Sequence, residues 1–181
     1  MESKVEVWHT IPLEEQTFGN NAGWVNFEYS NDNKTIKKVS SSGYCLGVCI
    51  SKSEKTPMSI ELRFDNLGES SDIFLGLTDA DKDITLDGIS HVYKRVGYIW
   101  APNYSMFLNH GCSSKVNVDW EKIKTGDIVT LFFDKLSGEF WVKVNDITGQ
   151  KVVLNQLNED MKEKMRFFVD FRAEGDQVTI V

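Results

Sequence analysis

The chain has little proline, little cysteine and no long apolar run, and each shortage excludes a class of protein. It contains three prolines and three cysteines among 181 residues, with 41% hydrophobic and 26% charged residues, which excludes collagen-like, fibrous and disordered chains. No apolar run approaches the roughly 18 residues of a membrane-spanning helix. The first six residues, MESKVE, lack the basic and apolar regions of a secretion signal. The sequence therefore predicts one globular domain in the cytoplasm or nucleus, with no membrane partner.

Basic residues are also in short supply. The chain has 20 Lys plus Arg against 27 Asp plus Glu, which gives a net charge of −7. Non-specific binding of nucleic acid requires a basic face that displaces the counterions of the phosphates. We therefore expect no nucleic acid among the partners.

The three cysteines, Cys45, Cys49 and Cys112, are an odd set and predict reduced thiols rather than a disulfide framework. The spacing of Cys45 and Cys49 places both on one face of a strand, where small apolar side chains pack. A metal-binding pair is usually closer in sequence and needs further ligands later in the chain, which are missing. We therefore expect no metal and no cofactor.

Alternation of apolar and polar residues dominates the rest of the sequence and predicts strands. It is found in residues 58–65, 24–29, 139–145 and 165–171, and shorter continuous apolar runs cover residues 73–77 and 128–133. Turn residues separate these runs and predict connections at 134–138, 66–71 and 173–176. The one helical candidate, residues 156–164, is short and charged, and we expect a surface turn there rather than a core element. Many short strands between turns indicate an all-β antiparallel sandwich or barrel.

The order of these segments resembles the SPRY domain, a bent antiparallel β-sandwich with a concanavalin-like jelly-roll shape. Residues 97–100 followed by 107–111 are similar to its central aromatic hairpin, and residues 166–171 and 177–181 to its closing pair of strands. The most specific match is residues 126–134 with 138–145, where a Gly-Asp turn opens one strand and a glycine turn leads to an aromatic strand. The similarity predicts a domain over residues 24–181, after a leader of residues 1–23 that contains a candidate edge strand. No PRY segment is evident, which disfavours a TRIM-type antiviral reader.

The resemblance implies a non-enzymatic, monomeric protein–protein interaction module that holds a peptide or protein surface in a shallow groove of loops. SPRY domains serve as substrate receptors of ubiquitin ligases, as scaffold parts of chromatin complexes, or as modules of channels. The residues themselves offer little to an enzyme. Asp79, Asp81 and Asp83 imitate the start of a calcium loop, but Ile84 replaces the required glycine and Ser90 the required glutamate.

Two further patterns are weak as catalytic sites. His110 and Cys112 have no neighbour that would orient the histidine as a base. The carboxylate pairs that a glycosidase would need are expected to be solvated turn residues; they are Asp134 with Glu139 and Asp170 with Glu174. We therefore expect no enzymatic activity.

Aromatic and charged residues of the irregular stretches form the candidate partner-binding groove, because loops on a rigid scaffold favour Tyr, Trp and Arg as anchors. In this hypothesis aromatic side chains anchor the ligand, an arginine pairs with an acidic or carbonyl group, and aspartates select a basic peptide. The residues are Trp24, Asp79, Asp81, Tyr93, Arg95, Tyr104 and Trp120. The alternative is a carbohydrate-binding lectin-like domain using Asn117, Asp119 and Trp120, against which the broken calcium loop and the missing secretion signal count.

Overall fold

A computed structural model describes residues 18, 27–39, 48–49, 58–68, 73–79, 98–101, 106–109, 112–115, 122–155, 157–171 and 173–181. Strands dominate these residues. They are β1 (Phe27–Ser30), β2 (Thr35–Lys38), β3 (Val48–Cys49), β4 (Met58–Asn66), β5 (Ile73–Asp79), β6 (Tyr98–Ala101), β7 (Met106–Asn109), β8 (Cys112–Lys115), β9 (Ile128–Asp134), β10 (Glu139–Val144), β11 (Ile147–Thr148), β12 (Val152–Val153), β13 (Met165–Phe171) and β14 (Gln177–Ile180). One short helix, α1 (Glu159–Lys164), precedes β13.

The strands form two antiparallel sheets. The large sheet has the order β1-β2-β14-β4-β9-β10-β11, with β12 also paired to β10, and the small sheet has the order β3-β13-β5-β6-β7-β8. Buried apolar residues of both sheets make a common core, as in a β-sandwich. The prediction of an all-β antiparallel sandwich is confirmed.

The alternating pattern of β4 shows why the sequence folds this way. Met58, Ile60, Leu62 and Phe64 are buried in the core, whereas Glu61 and the other odd positions further along the strand turn away from it. Because successive side chains of a strand point to opposite faces, one apolar set covers the core without a break. Each such side chain contributes roughly 1.5–3 kcal/mol when it is fully buried.

The predicted hairpins are present. β9 and β10 are antiparallel with Asp134 opposite Glu139, and Gly138 closes their turn at a φ of 73°. β6 and β7 form the central aromatic hairpin, in which Trp100 lies opposite Phe107.

The other two predicted turns are not hairpins, which corrects the sequence-based expectation. Residues 66–71 lead from β4 in the large sheet to β5 in the small one, and residues 173–176 return from β13 to β14. The two last strands therefore do not pair with each other: β13 pairs with β3 and β5, and β14 with β2 and β4. Alternation shows which face of a strand is buried but not which strand is its neighbour.

The charged segment after β12 is a helix rather than the expected surface turn. The Asn158 side chain accepts a hydrogen bond from the backbone N–H of Met161 (2.9 Å) and caps α1. Acidic residues in the first turn and lysines in the last turn stabilise the helix through their interaction with its dipole. No helix among the described residues is long and apolar enough to cross a membrane.

Phe18 belongs to the predicted leader, yet it is buried in the core and its N–H donates to the carbonyl of Asn33 (2.8 Å). Most other residues before β1 lie outside the described part of the chain, so the boundary between residues 23 and 24 stays a prediction.

Candidate functional site

Most of the seven predicted groove residues fall outside the described residues. This holds for Trp24, Asp81, Tyr93, Arg95, Tyr104 and Trp120. Asp79 is described at the level of the backbone, as the last residue of β5 and the partner of Met165 in β13. The groove therefore stays a prediction, and the described strands determine where its segments are attached.

One set of groove residues is attached at the Asp79 end of the small sheet. β5 and β6 are antiparallel neighbours, with Leu77 opposite Tyr98. Residues 80–97 therefore connect the two strands at this end. That connection contains Asp81, Tyr93 and Arg95.

A second set is attached at the opposite end of the same sheet. Residues 102–105, which include Tyr104, start where Ala101 pairs with Met106, at the far end of β6. β8 ends at Lys115, opposite Met106 at the same far end, and the chain continues from there to Trp120. A single groove of all seven residues therefore requires segments from both ends to meet.

The described residues contain a cavity of about 410 Å³ beside the end of β2. Two segments line it: the end of β2, and the turn that carries the chain from β13 back to the large sheet. The lining residues are Lys37, Lys38, Val39, Glu174 and Gly175. The Lys38 N–H donates to the carbonyl of Asp176 (2.9 Å) and the Gly175 N–H to the carbonyl of Lys38 (2.8 Å), so this turn extends the ladder between β2 and β14.

The Asp176 carboxylate holds the two crossover connections together. It is fully buried and accepts hydrogen bonds from the backbone N–H groups of Gly68 (2.8 Å) and Ala173 (3.0 Å). The Asn66 amide adds a bond to the carbonyl of Gly175 (2.7 Å). Because hydrogen bonds to a charged acceptor are the stronger kind, these contacts position the cavity wall.

Besides Asp176, ionisable side chains are buried at Lys38 in the large sheet, which lines the cavity, and at Asp170 in the small sheet. Neither oxygen of Asp170 makes a hydrogen bond in the described part of the chain. Burial raises the pKa of Asp170 to about 8, and the positive charge of Lys38 opposes this rise without cancelling it. At neutral pH the Asp170 carboxyl is therefore mostly protonated.

The sequence-based interpretation of Asp170 is wrong. It was expected, with Glu174, to be a solvated turn residue; Glu174 is indeed exposed, but Asp170 is inaccessible. Phe168, on the same face of β13, is also buried, so both faces of this strand are covered. The sequence analysis missed Lys38. Its burial could have been predicted, because Lys38 is two residues after Ile36 in β2 and therefore lies on the same, core-facing side of the strand.

No protein-family model matches the chain, and no curated protein matches it significantly in sequence. Solved structures do match. The SPRY domain of human HERC1 is similar with a TM-score of 0.65 and 12% sequence identity, over 93% of this chain and 94% of that one. The TRIM65 PSpry domain gives a TM-score of 0.62 and 12% identity, over 96% of this chain and 91% of its own. The chain has a SPRY-like fold.

The stonustoxin structure is a third match, with a TM-score of 0.60 and 13% identity. It covers 92% of this chain and 28% of the toxin chain. The SPRY-like fold confirms the resemblance drawn from the order of sequence segments, although the identities are too low to carry more than the fold.

The stacked aromatic pair Phe132 and Trp141 does not present a free ring face to solvent. Trp141 stacks on Phe132 with ring centroids 5.0 Å apart, and the Lys151 ammonium lies 4.3 Å from the Trp141 centroid. Only 6% of Trp141 is exposed. Sugar stacking needs a free ring face, so this pair does not favour the lectin alternative; Asn117, Asp119 and Trp120 lie outside the described residues.

The described residues of the sandwich contain no candidate metal-binding site. No group of three or more His, Cys, Asp or Glu side chains is placed to hold a metal ion in the part of the chain that is described. Cys45 lies outside that part, and Cys49 and Cys112 belong to β3 and β8. The expectation of no metal, no cofactor and no catalysis stays a prediction.

Proposed function

We propose that this chain is a non-enzymatic protein–protein interaction module that binds a peptide or protein surface through loops at one side of its sandwich. The observation that carries the proposal is the SPRY-like fold, which extends over nearly the whole chain. This fold supports a protein-binding role in general, because a rigid sandwich that presents variable loops is suited to recognition. The odd number of cysteines is typical of reduced thiols rather than disulfides, and this supports a role in the cytoplasm or nucleus.

The binding groove in this proposal is formed by Trp24, Asp79, Asp81, Tyr93, Arg95, Tyr104 and Trp120. Aromatic side chains bury apolar area at low entropic cost, and Arg95 pairs with an acidic or carbonyl group of the ligand. The acidic residues of 79–87 and the net charge of −7 favour a basic ligand.

The test is a comparison of partner capture by the wild-type chain and by two double variants. Partners are first identified by affinity capture from the native cell with mass spectrometry, and their affinities are then measured with purified proteins. Replacement of Tyr93 and Arg95 by alanine should weaken binding at least tenfold and leave the melting temperature unchanged. Replacement of Tyr104 and Trp120, which are attached at the other end of the small sheet, tests whether both ends contribute.

The results separate the candidate functions. Equal affinity and equal stability of the Tyr93 and Arg95 variant would show that the groove is elsewhere. Specific binding on a glycan array, lost with a chelator, would instead support the carbohydrate-binding alternative.

A further inference from the structure

The tip of the β9–β10 hairpin presents Leu136 to solvent. With 77% of its surface exposed, Leu136 is the most open large hydrophobic residue in the described part of the chain, ahead of Val153 at 50%. A single exposed leucine is ordinary on a protein surface. The turn that contains Leu136 is, however, held by several hydrogen bonds from its own side chains and from α1.

The Asp134 carboxylate fixes the turn from inside. One oxygen accepts from the Leu136 N–H (2.9 Å) and the other from the Ser137 hydroxyl (2.8 Å). The Gly138 N–H donates to the Asp134 carbonyl (2.8 Å). The backbone of the five residues 134–138 is thereby held in one conformation, so little backbone entropy remains to be lost when the tip is bound.

Helix α1 supports the same turn from below. The Lys162 ammonium donates to the carbonyl of Leu136 (3.4 Å) and to the Glu159 carboxylate (2.9 Å). The Lys135 ammonium, whose side chain is 3% exposed, pairs with Glu163 (3.1 Å). The backbone N–H and C=O of Leu136 are therefore both engaged within the chain, and only its apolar side chain faces outward.

The charges around Leu136 are layered. Both lysine side chains are largely buried, whereas their partners Glu159 and Glu163 are 82% and 65% exposed. Val153 lies at the base of the turn, because it pairs with Glu139. We call Leu136, Val153, Glu159 and Glu163 the hairpin-tip patch: an apolar contact point with carboxylates at the surface.

We propose that the hairpin-tip patch is a second protein-binding surface, which takes a partner segment that presents an apolar side chain flanked by lysines or arginines. Because the backbone of Leu136 is already fixed, its side chain supplies apolar contact at a small ordering cost. Each carboxylate is paired with a lysine, but the ammonium groups are largely buried and the carboxylates are exposed, so the negative ends of both ion pairs face outward. These negative ends complement the basic flanks and disfavour acidic surfaces. None of its residues belongs to the seven-residue groove, so the two surfaces can be tested separately.

The test uses the full chain and synthetic peptides. One peptide has a central leucine with two lysines on each side; the first control peptide replaces the lysines with glutamates and the second replaces the leucine with serine. Amide chemical shifts of the full chain should change at residues 134–139, 153 and 159–163 with the basic leucine peptide. Its affinity should be at least tenfold higher than that of either control peptide.

Three variants make the test specific. Leu136→Ser should weaken binding at least tenfold without changing the melting temperature, because the side chain is exposed. Ile147→Ser is the matched control: Ile147 is 41% exposed and lies beside the other end of β10, so binding should not change. The double variant Glu159→Gln with Glu163→Gln should weaken binding and reduce its salt dependence.

Five results would overturn the proposal. The first three are no binding by the wild-type chain at millimolar peptide, shift changes elsewhere only, and equal binding by Leu136→Ser. The fourth is shift changes at the patch with protein concentration alone, which would indicate a second copy of the chain. The fifth is Leu136-dependent binding to anionic lipid vesicles without peptide.

Discussion

We expect the stability of this sandwich to fall as the pH rises from about 4 to about 8, with Asp170 as the cause. At pH values below about 4 the carboxyl is protonated in both the folded and the unfolded chain. Between about pH 4 and about pH 8 the unfolded chain releases the proton of Asp170 while the folded chain keeps it, because the buried site disfavours the charged form. The contribution of Asp170 is therefore fully present at low pH and is lost as the pH rises through the folded pKa of about 8.

The magnitude follows from the distance between the two pKa values. The ordinary pKa of the side chain is 3.8 and its folded value is about 8. Each pH unit in this interval lowers the free energy of unfolding by about 1.4 kcal/mol, so the full difference is on the order of 5 kcal/mol. A domain of this size is stable by about 5–15 kcal/mol in total, so the change lies well within the range of a denaturation experiment.

The assay is urea unfolding of the wild type and three variants between pH 4 and pH 9. Asp170→Asn removes the titrating group and keeps its size, so the variant should match the wild type near pH 4 and exceed its stability near pH 8. Glu174→Gln is the matched control, because it makes the same carboxyl-to-amide change at an exposed residue of the next turn, outside the buried site. Lys38→Met should move the upper end of the decline above pH 8, since the charge of Lys38 lowers the pKa of Asp170.

One result would refute this reasoning. If the wild type and Asp170→Asn have parallel stability curves over the whole range, the Asp170 carboxyl ionises as it would in water. Its burial against the charge of Lys38 would then have no energetic consequence.

The two remaining predictions concern the crossover turn. Asp176→Ala should lower the free energy of unfolding by about 3 kcal/mol in urea denaturation, because the N–H groups of Gly68 and Ala173 lose a charged acceptor; a loss below about 0.5 kcal/mol would contradict the role given to this carboxylate. Gly175→Ala should cost about 1 kcal/mol, because Gly175 has a φ of 88°. Gly175→Asn should cost less in the same assay, since asparagine tolerates this conformation better, and equal losses would show that backbone strain is not the reason.

The fold was predictable because its evidence is local. The alternation in β4, the glycine turn at 134–138 and the aromatic pair of β6 and β7 each depend on residues close in the chain, and the structure confirms all three. Strand partnership is a long-range property. The turns at 66–71 and 173–176 have the composition of hairpin turns, yet each leads from one sheet to the other.

The candidate site was less predictable, for a related reason. A strand sequence shows which face meets the core, but the burial of Asp170 depends on what covers the other face of β13. Lys38 was readable in principle, as a lysine in phase with the buried Ile36. The cavity beside Lys38 also depends on the turn at 173–176, which is adjacent to β2 only because β14 inserts next to it.

The position of β14 also constrains how the chain is made in the cell. This strand comes last among those described but lies inside the large sheet, between β2 and β4. During synthesis β2 and β4 are made before β14, so each has one edge without a hydrogen-bonded neighbour until residues 177–180 leave the ribosome. Exposed strand edges can pair with strands of other chains. Until β14 has been made, the nascent chain therefore exposes two strand edges that the finished sandwich covers.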